Sequence, residues 1–103
     1  MPSKREEALK SMLAQDPSNS FARYGLAMEY VNSNQLDVAM TEFTALLANT
    51  PDYIAGYFHG GQTLEKLGRK PEARELYERG LTACERVGDG HSAAEIRAAL
   101  DML

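Results

Sequence analysis

The chain is short of the residues that chemistry most often needs. Cys84 is the single cysteine among 103 residues, so no intrachain disulfide forms and no cysteine-built metal site exists within one chain. That fits a reducing compartment, and a cytoplasmic location is the expectation. There are two histidines, His59 and His91, and no tryptophan. No HExxH or DxDxDG pattern occurs, and no glycine-rich phosphate loop follows a strand. Nucleophilic catalysis needs a nucleophile, a base and an orienting group in one place, whereas His59, Cys84 and His91 fall on three different predicted elements. No catalytic residue, no cofactor site and no metal ligand is expected, and the chain reads as a non-enzyme.

Positive charge is also scarce. Lys and Arg number 11 against 15 Asp and Glu, a net charge of −4. Such a chain lacks the field that draws phosphates, so neither nucleic acid nor an anionic membrane is an expected partner. No apolar run approaches the roughly 20 residues that span a bilayer. The stretch Met1-Pro2-Ser3-Lys4-Arg5-Glu6-Glu7 turns acidic at once and has no apolar h-region, so it is not expected to act as a signal peptide.

Apolar residues, by contrast, make up 44%. That is too many for a disordered chain, and enough for one domain to bury a core without disulfides or metal. They also recur. A shift of 34 positions places Pro17 on Pro51, Tyr24 on Phe58, Ala39 on Ala73 and Phe43 on Tyr77. It also places Leu13 on Leu47 and Leu47 on Leu81, Ala27 on Gly61, and the turn residue Asn34 on Gly68.

Local signals divide the chain into helices. Ser3 to Gln15 is predicted helical, with Ser3 and Glu6 as a capping box and Ala8, Leu9, Met12 and Leu13 as one apolar stripe. Pro17 forces Asp16 out of helical geometry. Ser18 to Ser33 is apolar around much of its circumference, as in a helix that packs on its neighbours and lines a groove; Asn32-Ser33-Asn34 makes the turn. Leu36 to Asn49 follows with Val38, Ala39, Phe43, Leu46 and Leu47 inward. Tyr53 to Leu67 ends at Gly68. Pro71 opens the next helix, which runs to Val87 and spaces Glu75 with Arg79 and Arg74 with Glu78 for i,i+4 pairs. Gly88-Asp89-Gly90 breaks the chain. Ser92 to Glu95 reads as a second capping box, and Ile96, Ala99, Leu100 and Leu103 form the narrow stripe of a last, capping helix. Gly56, Gly60 and Gly61 each cost about 1 kcal/mol relative to alanine inside a helix. Close helix approach is the expected compensation, with Tyr77 or Phe43 over Gly60 and Gly80 facing Leu46.

The pattern resembles the tetratricopeptide repeat (TPR) family. Leu26-Ala27, Tyr30, Ala39-x3-Phe43 and Pro51 match its signature in one repeat; Tyr57, Gly61, Leu64 and Ala73-x3-Tyr77 match it in the next. Arg23 stands where the family has tryptophan, Gly60 where it has leucine and Glu85 where it has proline. The resemblance implies an all-α, right-handed superhelix of antiparallel helix hairpins, about six helices in one domain over 1–103: an N-terminal half repeat (3–16), full repeats at 18–52 and 53–87, and a capping helix at 90–103. It implies a protein–protein interaction module, an adaptor that binds a peptide or helix of a partner protein on its concave face. That face would carry Phe21, Tyr24, Met28 and Val31 from one repeat and Ala55, Phe58, His59, Gln62 and Lys66 from the next, an apolar and aromatic groove with a few polar groups. The subgroup that clamps a C-terminal carboxylate is not matched, since Tyr24, Met28 and His59 stand where its lysine and two asparagines would be. The alternative is a self-associating structural or scaffold subunit, such as a homodimer, built on the same groove or on the uncovered ends of the stack.

Overall fold

Six helices follow one another in the computed structural model, which describes residues 2–103: α1 (Lys4–Gln15), α2 (Ser20–Asn32), α3 (Leu36–Asn49), α4 (Ile54–Lys66), α5 (Lys70–Val87) and α6 (Gly90–Asp101). Side-chain caps start three of them. Ser3 accepts the Glu6 amide, Asn19 the Ala22 amide and Asp89 the Ser92 amide, each at 3.0 Å, relieving donors that a helix start leaves unpaired.

The turns repeat as the sequence does. The Gln35 amide donates to the Tyr30 carbonyl at 2.8 Å, and 34 residues later the Arg69 amide donates to Leu64 at 2.9 Å. Between these, Asn34 and Gly68 adopt left-handed φ angles of 60° and 76°. At the other end of the hairpins, Asp16 donates to Met12 at 2.9 Å and Thr50 to Leu46 at 2.7 Å. Each helix packs on the next, and α4 also touches α6. The result is an all-α stack of consecutive hairpins, with α2, α4 and α6 on one side and α1, α3 and α5 on the other.

Two apolar clusters fill the stack. Leu9, Leu26, Tyr30, Ala39, Phe43 and Leu46 belong to one, and Leu47, Tyr57, Leu64, Ala73, Tyr77 and Ile96 to the other. Met40 and Tyr53 pack against both. The aligned pairs Ala39 with Ala73 and Phe43 with Tyr77 are all fully buried. Where the family has tryptophan, Arg23 bonds to Glu42 of α3 at 2.7 Å and to the Pro17 carbonyl at 3.1 Å. Tyr57, 34 residues on, reaches the matching Pro51 carbonyl at 2.6 Å. A half-buried ion pair and a tyrosine hydroxyl thus hold equivalent places in two hairpins.

Several local expectations are corrected. Val38 faces outward, 42% exposed, because the inward stripe of α3 runs through Ala39, Phe43 and Leu46 one residue away. Asp89, not Ser92, caps α6, which places the expected Ser92–Glu95 box inside the helix; an aspartate before the first turn is the better anchor. Only the Ser3 half of the first box forms, and Glu6 turns to Lys10 at 2.8 Å. The pairs Glu75–Arg79 and Arg74–Glu78 do not form: Arg79 instead lies over the Tyr57 ring, 5.6 Å from its centre, while Arg69 takes Glu72 at 2.6 Å and Arg86 takes Asp52 at 2.5 Å. Of the two aromatics expected over Gly60, Phe43 does sit there, beside Leu76, while Tyr77 covers Gly61; Gly80 faces Tyr57 and Ile96, and Leu46 packs over Gly56 instead.

Candidate partner-binding face

The face of α2 and α4 carries a chain of rings. Tyr24 lies 5.3 Å from Tyr53 and 5.9 Å from His59, centre to centre, and His59 lies 5.2 Å from Phe58. Behind them Tyr24 meets the buried Phe43 edge-on at 6.5 Å. Tyr24, Met28, Val31, Phe58 and His59 are half-buried, and Gln62 and Lys66 are exposed. Phe21, in the first turn of α2, is 67% exposed, a large apolar surface left in water.

The helix periods explain the placement. On α2, Ala22, Leu26 and Tyr30 turn into the core, so Phe21, Tyr24, Met28 and Val31 fall on the flank beside it. On α4, Gly60, Gly61 and Leu64 turn inward and His59, Gln62 and Lys66 do not. The structure therefore brings Tyr24, Phe58 and His59 into one continuous group. Tyr53 completes that group and was not on the expected face. The 34-residue shift pairs Tyr53 with the polar Asn19, so the repeat comparison gives it no aromatic counterpart; its proximity to Tyr24 depends on how α4 enters the stack.

Burial shapes the electrostatics. It pushes the Tyr24 and Tyr53 hydroxyls up from their usual range, so both stay neutral donors. For His59, burial lowers the pKa most; Glu95 of α6 and the neighbouring Gln62 side chain oppose it, and Lys66 adds to it. A neutral imidazole is therefore favoured in the fold. Since the unfolded chain binds this proton more readily, stability is fully present above the ordinary histidine pKa and declines as pH falls below it. Urea unfolding at pH 7 and pH 5 should show a shallower loss in His59→Gln than in the wild type; equal losses would place the effect elsewhere.

Among the described residues, no three His, Cys, Asp or Glu side chains group to hold a metal ion, and no helix is long and apolar enough to cross a membrane. Cys84 is buried in the second cluster, and burial raises its thiol pKa.

The geometry defines a helical-repeat protein with an aromatic face on one side of the stack. No family model matches the chain. It is 28% identical over 90 residues to a TPR repeat-containing protein of Pseudomonas aeruginosa, covering 87% of this chain and 86% of that one. It is 30% identical to a tetratricopeptide repeat domain protein of Salinibacter ruber solved by NMR, with a TM-score of 0.78 over 82% of this chain and 86% of that chain. The fold also matches the TPR2B domain of yeast Sti1, with a TM-score of 0.87 over 92% of this chain and 76% of that chain at 17% identity. The chain belongs to the tetratricopeptide repeat family. TPR domains are generally protein–protein interaction modules, and proteins built from them are typically non-catalytic.

Proposed function

We propose that this chain is an adaptor whose α2/α4 face holds an apolar segment, a peptide or a helix, of a partner protein. In this reading it comprises a half repeat, two full repeats and a capping helix with the boundaries given above, and Phe21, Tyr24, Met28, Val31, Phe58, His59, Gln62 and Lys66 make the contacts. The supporting observation is the exposed Phe21 on the same helix flank as the ring group Tyr24–Tyr53–His59–Phe58. Aromatic and methionine side chains of this kind anchor protein contacts. The Sti1 domain with the same fold was solved as a complex with pHsp70.

Phe21 is a cleaner probe than Phe58, which packs on the core. Peptides selected by display against the wild-type chain should shift the Met28 and Val31 methyl signals in NMR. Phe21→Glu should weaken them by about tenfold or more with its circular dichroism and melting temperature unchanged. Peptides that bind Phe21→Glu as tightly as wild type would overturn the reading.

Self-association is the second reading, favoured by Met102, which stands 86% exposed at the α6 end of the stack. Light scattering separates the two. A wild-type dimer that Phe21→Glu converts to a folded monomer makes the face the protein's own interface.

A further inference from the structure

We infer that the aromatic face gives up a proton when its partner binds: the segment seats over a neutral His59 imidazole, the charged form releases its proton to water, and acid loosens the complex. The inference rests on the reading above, in which an apolar segment covers that face.

His59 is an inner member of the ring group. Its ring stands between Tyr24 of α2 and Phe58 of α4, at 5.9 and 5.2 Å. It is half-buried, so the fold shields part of the imidazole and water reaches the rest. A segment laid across Tyr24 and Phe58 covers what is left. Taking an imidazolium out of water costs far more than taking out a neutral imidazole, unless an opposite charge replaces the water. An apolar segment brings no such charge.

The fold supplies little to replace it. Glu95 of α6 attracts the His59 charge, but its side chain is over half exposed and lies 3.9 Å from His91, so water screens the attraction. Lys66, on the same helix as His59, repels the charge. Tyr24 from α2 and Tyr53 ahead of α4 are uncharged, because burial holds their hydroxyls protonated. Among the described residues, α3 and α5 bring no charged group to bear on the ring. Burial in the free chain already favours the neutral form, and a covering segment pushes the same way.

The sign follows from linkage. The complex holds this proton less tightly than the free chain does. Affinity is therefore full above the free chain's His59 pKa and declines as pH falls through it. The limit is about tenfold for each unit by which binding lowers that pKa. Few other side chains change charge in this range. His91, at the start of α6 with its side chain 89% exposed, is the internal control.

The test uses the full chain and a display-selected peptide that shifts the Met28 and Val31 methyls. The peptide is capped at both ends and free of histidine, aspartate and glutamate, so it does not titrate itself. The ring-proton signal of His59, assigned by its loss in His59→Gln, is followed by NMR from pH 7.5 to pH 5.5 with and without peptide. Binding should move its midpoint down by about half a unit or more, and affinity should fall by about twofold or more across that range. His59→Gln should flatten the pH dependence, and His91→Gln should keep it; circular dichroism confirms that each variant stays folded at both ends of the range. A midpoint that stays or rises while Met28 and Val31 still shift would overturn the proton release alone. So would a pH dependence that survives His59→Gln or vanishes in His91→Gln. Peptides that bind without shifting Met28 and Val31 would overturn the adaptor reading, and the proton release with it.

Discussion

Alanine at position 61 should destabilise the fold by about 1–3 kcal/mol, although alanine is the better helix former by about 1 kcal/mol. A Cβ built on Gly61 stands 2.2 Å from one ring carbon of Tyr77 and 2.6 Å from two others. The ring cannot step aside. Tyr77 is fully buried, its hydroxyl donates to Glu65 at 2.5 Å, and burial followed by that contact pushes the hydroxyl's pKa far above its usual range. Accommodation therefore requires α4 and α5 to separate, which loosens the cluster around Leu64, Ala73 and Leu76. Gly90→Ala is the matched control. No atom lies within 4 Å of its Cβ position, so it should be neutral or slightly stabilising. Urea unfolding of both variants measures the contrast; a Gly61→Ala protein as stable as wild type would show that the helices part freely.

Phe43→Ala should be the most damaging single truncation, costing about 3–5 kcal/mol. Phe43 is fully buried and touches more than one layer. Its Cβ and Cγ lie 3.6 Å from where a Gly60 Cβ would stand, its ring meets Tyr24, and it floors a cleft between α3 and α5. A small domain has about 5–15 kcal/mol in total, and 1 kcal/mol moves the melting point by about 4–8 °C at 60–100 residues. Phe43→Ala should therefore lower it by more than about 10 °C in calorimetry, whereas a loss of a degree or two would mean that the surrounding side chains collapse into the space.

The same residues show why the fold was largely legible in the sequence. Alanine facing alanine and aromatic facing aromatic at a fixed shift report a packing period, and Ala39, Phe43, Ala73 and Tyr77 are all buried as that period requires. Breakers were equally plain, since Pro17, Asn34 and Gly68 act through backbone geometry that needs no partner. What failed was anything that depends on a choice between partners. Arg79 had Glu75 at helical spacing and an unseen ring from α4 across the hairpin, and the ring won. Tyr77 covers Gly61 instead of Gly60 because a one-residue difference in facing turns on the angle between two helices. The aromatic face was legible as a set of positions on α2 and α4. Tyr53 escaped because its place beside Tyr24 is a property of the stack and not of either helix.

Met40 and Tyr53 deserve to be seen as a mechanical joint. They pack against both apolar clusters, while most other core side chains serve one. In a quasi-linear protein, the contacts between neighbouring units decide whether the molecule melts as one body or as two. The ring group of the aromatic face runs over that same joint, because Tyr53 packs beside Tyr24 and also reaches into both clusters.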